Sequence, residues 1–137
     1  MEKKYELAIE AMHNAYAIYS HFRVGACLVL KNGEYIIGAN VENASYGLCN
    51  CAERSALFAA YSRGYRQDDL LELVIATETI QPASPCGACR QVICELMHPE
   101  ALVTMINPRL ENTLTLKVSE LLPYAFDGAM LNDEHKI

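Results

Sequence analysis

Two cysteine pairs, Cys49-Asn50-Cys51 and Cys86-Gly87-Ala88-Cys89, each stand where a stretch of helical spacing begins. Thiols at i and i+3 share a helix face, so Cys86 and Cys89 can reach one ion together. The free N–H groups of a first helical turn also favour thiolate over thiol. Cys51, brought beside that pair, would supply a third ligand and leave the fourth position of a zinc ion to water. Three protein ligands plus water is the arrangement of a catalytic zinc, and it lowers the water pKa to about 7. The constraint on the fold is severe, because two helix starts far apart in sequence must meet. Two other uses of these cysteines stay open on spacing alone. Cys49 with the other three would close a four-cysteine structural zinc, and Cys86 with Cys89 would suit a dithiol redox pair.

Six cysteines among 137 residues would also permit disulfides. The start, Met1-Glu2-Lys3-Lys4-Tyr5-Glu6, argues otherwise: it runs into helical spacing with no apolar core or small-residue cleavage site, unlike a signal peptide. A reducing, cytoplasmic setting is therefore expected, where metal or redox chemistry comes before disulfides. No run of 18 apolar residues suggests a membrane helix. With 11 Lys+Arg against 17 Asp+Glu the net charge is −6, and without basic runs the chain lacks a nucleic-acid footprint. The length fits one domain over 1–137. A chain of this size buries ~68–70% of its unfolded surface without needing disulfides.

The apolar periodicity supplies the elements. Ala8, Ala11, Met12, Ala15, Ile18 and Tyr19 recur at three- and four-residue steps, which predicts a helix over about 4–19. Asn32-Gly33 between two apolar runs predicts an antiparallel hairpin of strands over 24–30 and 34–39. A helix over about 51–63 with Gly64 as its C-terminal cap follows, then a strand over 70–77 covered on both faces. After a proline-broken loop over 79–85 come a helix over 87–97 and strands over 101–106 and 113–118. Ser119 is expected to cap a short last helix into Leu121-Leu122. This order predicts an α/β fold, a three-layer α/β/α arrangement around a mixed five-stranded sheet. Strands three and four each follow a helix, which makes parallel crossovers available. Only about six residues, 107–112, separate the last two strands, too few for a parallel crossover, so these should pair antiparallel.

Glu53, two residues past Cys51, is placed as a proton carrier rather than a ligand, the combination found in zinc deaminases. Its competing use is an N-terminal capping box over Asn50-Cys51-Ala52-Glu53. Three thiolates carry −3 against zinc's +2, and Arg54 beside them can offset this by donating hydrogen bonds to sulfur. A solvated helix-surface arginine is its alternative. Cys27 and Cys94 fall on apolar faces and read as packed thiols. His13, His21, His98 and His135 lack ligand spacing and receive no chemistry.

With those residues in hand, the chain resembles the short, homotetrameric class of cytidine deaminases over nearly its whole length. The resemblance rests on Tyr19-Ser20-His21-Phe22-Arg23-Val24-Gly25-Ala26, Asn40-Val41-Glu42-Asn43-Ala44-Ser45-Tyr46, Cys49-Asn50-Cys51-Ala52-Glu53-Arg54, Ser84-Pro85-Cys86-Gly87-Ala88-Cys89-Arg90-Gln91 and Glu120-Leu121-Leu122-Pro123-Tyr124-Ala125-Phe126. It implies one Zn2+ per subunit on Cys51, Cys86 and Cys89, with Glu53 as the catalytic proton shuttle and Arg54 bonded to the thiolates. It implies Asn40 and Glu42 on the ribose, Phe22 lining the site, and the Ala52 N–H on the base carbonyl. Phe126 would stack on the base from a neighbouring subunit, with Tyr46 at the same shared site. The implied reaction is hydrolysis of cytidine and 2′-deoxycytidine to uridine and 2′-deoxyuridine with release of ammonia, in pyrimidine salvage. Blasticidin-type deaminases share the zinc motifs, but Asn40-Val41-Glu42-Asn43 and the Phe126 tail match the nucleoside enzymes better. Deaminases of polynucleotides typically carry a His ligand and a helix between the last two strands, whereas this chain has Cys51 and a short loop.

Overall fold

The computed structural model describes residues 1–132, 134, 136 and 137. A hairpin starts the sheet: β1 (Val24–Leu30) and β2 (Tyr35–Ala39) pair antiparallel. Gly33 closes the turn at φ 88°, a conformation that favours glycine, and Asn32 Oδ1 accepts from the Glu34 N–H at 2.9 Å. Then β3 (Leu70–Thr77) pairs antiparallel with β1 and parallel with β4 (Leu102–Ile106), and β5 (Leu114–Lys117) closes the sheet antiparallel to β4. The order is β2-β1-β3-β4-β5. Since β1 runs against both its neighbours, β3 runs parallel to β2 and to β4, so both helix-linked crossovers join parallel strands. Residues 107–113 join β4 to β5 without a helix.

Both faces are covered. On one, α1 (Lys3–His13) packs Ala8 and Met12 against Cys27, Val74, Ala76 and Ile106. On the other, α2 (Ala52–Ser62), α3 (Gly87–Leu96) and α4 (Val118–Leu121) bury Ala56, Leu57, Ile93 and Leu121 against Ala26, Leu28, Leu73, Ile75, Val103 and Met105. Strand alternation sends successive side chains to opposite layers, so β3 needs apolar residues on both faces. Two glycines set how closely the helices approach. A Cβ on Gly25 would lie 2.1 Å from Ala8 O in α1, and one on Gly38 would lie 2.7 Å from Ala52 O in α2. At Gly38 the first turn of α2 rests on the sheet backbone, which fixes where Cys51 and Glu53 stand.

Two expected boundaries differ. Helix α1 stops at His13 instead of reaching Tyr19. The Tyr16 N–H donates to Asn40 O at 2.9 Å and Tyr16 O accepts from the Glu42 N–H at 2.8 Å, so β-type pairing beyond β2 takes the backbone groups a longer helix would need. Ile18 and Tyr19, despite their helical spacing, lie at the surface. The last helix is capped at Lys117, whose N–H donates to Glu120 Oε1 at 2.9 Å, and Ser119 lies within the first turn. His135 lies outside the described residues. No helix among the described residues is long and apolar enough to cross a membrane.

Candidate metal centre and active site

Helices α2 and α3 both begin on a thiol: Cys51 is the N-cap of one and Cys86 the N-cap of the other, with Cys89 one turn further in. Their sulfurs lie within 4.8 Å of one another, the one such cluster of His, Cys, Asp or Glu ligands among the described residues. Tetrahedral zinc with Zn–S bonds of about 2.3 Å spaces its sulfurs roughly 3.8 Å apart, a spacing that fits within the observed cluster. The electrostatics also ask for a cation. Cys51 is drawn down to about 5 by a hydrogen bond from the Cys89 thiol and, beyond that, by the Arg54 guanidinium. The same Cys89–Cys51 hydrogen bond, with burial, holds the Cys89 thiol well above its ordinary range. Cys89 keeps its proton on the hydrogen bond to Cys51, and metal binding at such a site requires deprotonated thiols. The donor set is soft, three-membered and open on one side, which fits a catalytic zinc.

Arg54 Nη2 donates to Cys51 Sγ at 3.2 Å, and its Nε is buried without a hydrogen-bond partner among the described residues. The Nη2 end of the guanidinium therefore faces the Cys51 sulfur. Cys49 does not join the cluster: its sulfur accepts from the Asn43 N–H at 3.2 Å and approaches Asn43 O at 3.6 Å. The closed four-cysteine reading fails on that geometry. A two-thiol reading leaves Cys51 unexplained, and all six cysteines are free. Cys27 is fully buried, its thiol pushed up to about 12 by desolvation, and Cys94 packs at the core edge.

Glu53 is 5% exposed, and burial raises its carboxyl above the usual range, with the neighbouring Cys51 charge adding to the effect. It does not cap the helix. The cap residue is Cys51, and the Asn50 N–H that a capping box would use donates to Val41 O instead, at 3.0 Å. Glu53 faces a cavity of about 300 Å³ shared with Cys51, Ala52 and Cys86 on one side and Phe22, Asn40, Glu42 and Ser20 on the other. Asn40 is locked, its Oδ1 accepting from the Val24 N–H at 2.8 Å and its Nδ2 donating to Phe22 O at 2.9 Å. Glu42 Oε1 accepts from the Tyr19 and Ser20 N–H groups, each at 3.0 Å; the Ser20 hydroxyl first, and then these N–H groups, hold its carboxyl below the usual range.

Two of the expected residues stand apart. Tyr46 lies on a 3-10 turn (Tyr46–Leu48) beside a separate recess of about 240 Å³, which Ser20 and Glu42 also border. Phe126 is 59% exposed, its carbonyl accepting from Gln91 Nε2 at 2.8 Å, and it does not line the Glu53 cavity of its own chain.

Three residues that sequence reasoning left without a role hold this site together. The Ser20 hydroxyl bonds Glu42 and accepts from the Phe22 N–H. Arg90 braces the loop before Cys86, donating to Pro85 O at 2.8 Å, Ser84 Oγ at 3.0 Å and Leu121 O at 2.9 Å. Asn107 is 2% exposed and ties the same loop to β4, with Nδ2 donating to Thr79 O at 3.0 Å and Ile80 O at 2.9 Å.

Residues 1–105 match the model of the cytidine and deoxycytidylate deaminase zinc-binding region. A cytidine deaminase of Halalkalibacterium halodurans is 50% identical over 127 residues, covering 92% of this chain and 93% of that protein. One from Sporosarcina psychrophila is 43% identical over 128 residues, covering 92% and 90%. The 1.6 Å crystal structure of cytidine deaminase from Burkholderia pseudomallei superposes with a TM-score of 0.86 at 47% identity, covering 92% of this chain and 100% of that one. The crystal structure of the Mycobacterium tuberculosis cytidine deaminase gives 0.74 at 37%, covering 88% and 92%. Fold, thiol cluster and sequence agree, and the chain belongs to the cytidine and deoxycytidylate deaminase family.

Proposed function

We propose that the protein is a cytidine deaminase, converting cytidine and 2′-deoxycytidine to uridine and 2′-deoxyuridine with release of ammonia, in pyrimidine salvage. The observation that carries this is one cavity lined by Cys51 and Cys86 of the three-thiol cluster, with the buried Glu53 carboxyl beside them and a polar wall opposite. Cys51, Cys86 and Cys89 hold one zinc per subunit. Bound there, zinc supplies a Lewis acid that brings a water's pKa to about 7.

Glu53 does the proton work. Its buried carboxyl accepts a proton from the attacking water and delivers it to the ring nitrogen next to the amine; it then takes the second proton from the hydroxyl now on the ring carbon and gives it to the amino group, which leaves as ammonia. Burial suits this cycle because it weakens the preference for the charged form. The Ala52 N–H, free at the first position of α2, is placed for the base carbonyl. Asn40 and Glu42 take the ribose 3′-hydroxyl and Phe22 walls the nucleoside. Arg54 offsets the excess negative charge of the thiolates.

The finer reading is a cytoplasmic homotetramer of single-domain subunits, spanning residues 1–137, with shared active sites. Tyr46 and Phe126 sit outside their own chain's cavity and at the surface, which suits residues offered to a neighbour. The reaction is tested by incubating the zinc-loaded protein with cytidine, deoxycytidine and cytosine and following ammonia. Release from both nucleosides and little from the free base is the expected pattern. A zinc-loaded protein inert toward both nucleosides would contradict it.

A further inference from the structure

We infer that Ser20 is a positioning residue for nucleoside binding, its hydroxyl locking Glu42 and the Phe22 backbone into one arrangement. This rests on the proposed role of Glu42 at the sugar. The Ser20 Oγ accepts from the Phe22 N–H at 3.0 Å, so its single hydrogen is left for Glu42 Oε2. Glu42 Oε1 already accepts from the Tyr19 and Ser20 N–H groups. Those two bonds grip one oxygen and leave the other free to swing. The hydroxyl removes that freedom.

The surrounding segment needs such a tie. Residues 14–23 carry no helix or full strand, and the turn passes through His21 at φ 59°. The Phe22 peptide is then held from both sides, its N–H by Ser20 and its C=O by Asn40 Nδ2 at 2.9 Å. A serine hydroxyl bonding the N–H two residues on is an ordinary turn feature. The second bond, to a carboxylate facing the cavity, is what links this turn to substrate.

The test is steady-state kinetics of wild type, Ser20→Ala, Ser20→Thr and Glu42→Gln on cytidine and 3′-deoxycytidine, with Tm recorded for each. Ser20→Ala should raise KM for cytidine about three- to tenfold, the range for one partly solvated hydrogen bond, with kcat nearly unchanged. Ser20→Thr should restore it. On 3′-deoxycytidine, which lacks the hydroxyl Glu42 would grip, the loss should be clearly smaller, leaving only the part that the Phe22 tie contributes. An equal loss on both substrates, or no loss on cytidine, would overturn the assignment. If Glu42→Gln abolishes discrimination between the substrates while Ser20→Ala keeps it, Ser20 alone is wrong. If Glu42→Gln discriminates like wild type, the sugar-binding reading of Glu42 falls and the Ser20 role falls with it.

Discussion

At one end of the cavity, Cys89, Ala52 and Glu53 are buried and mounted on the first turns of two helices packed against the sheet. At the other, Phe22 is half exposed on an irregular segment, while Tyr46 and Phe126 stand at the surface outside the cavity. The metal end is held by helix packing, with α2 seated on the backbone at Gly38. The nucleoside end is held by side chains bonded to backbone, through Ser20, Asn40 and Glu42. Rigid elements fix the groups that need sub-ångström placement, while loops carry the groups proposed to meet substrate. The three clustered thiols all come from one chain, whereas Tyr16, Ile18, Tyr19, Val41, Tyr46 and Leu48 are large apolar side chains left exposed.

The largest expected effect breaks the buried end. Cys86→Ala or Cys89→Ala should lose the metal and with it all activity, read as zinc per chain falling from one toward none. A variant that kept full zinc would show that the three thiols do not act together. Glu53→Gln comes next. It keeps shape and zinc but removes the proton carrier, so kcat should fall about 100- to 10,000-fold. Near-normal turnover at full zinc would take Glu53 out of the chemistry.

A third substitution separates frame from chemistry. Gly38→Ala puts a Cβ 2.6 Å from Ala56 N and 2.7 Å from Ala52 O, so α2 must shift. Overpacking of this kind costs about 1–3 kcal/mol, and Tm should fall together with zinc affinity. Gly25→Ala presses on α1 instead, 2.1 Å from Ala8 O, and should lower Tm without weakening zinc in the protein that remains folded. Equal effects of the two on zinc would deny that α2 seating sets the metal end. Smallest is Cys49→Ser, whose sulfur bonds Asn43 outside the cluster. Zinc and activity should stay close to wild type, checked by metal content and ammonia release.

Legibility in the sequence followed the same division. Asn32-Gly33 announced the hairpin because a turn is a local event, and the nearly all-apolar run of Leu70–Thr77 announced a strand buried on both faces. The thiol cluster was readable because Cys86 and Cys89 lie one turn apart and Cys51 begins a helix. Ile18 and Tyr19 misled because helical spacing does not reveal that Tyr16 pairs with the chain beyond β2. Arg90 and Asn107 escaped notice for a related reason. Their partners Leu121 and Thr79 lie far along the chain, so only the folded arrangement joins them.

In the shared site proposed above, one chain builds the metal end and a neighbour completes the nucleoside end. Mixing Glu53→Gln chains with Phe126→Ala chains, under conditions that let subunits exchange, tests it most directly. Each parent should be impaired, and the mixture should recover part of the wild-type ammonia release. The recovered sites would pair an intact Glu53 with a neighbour's intact Phe126. No recovery, with exchange demonstrated and the Phe126→Ala parent clearly impaired, would contradict the shared site.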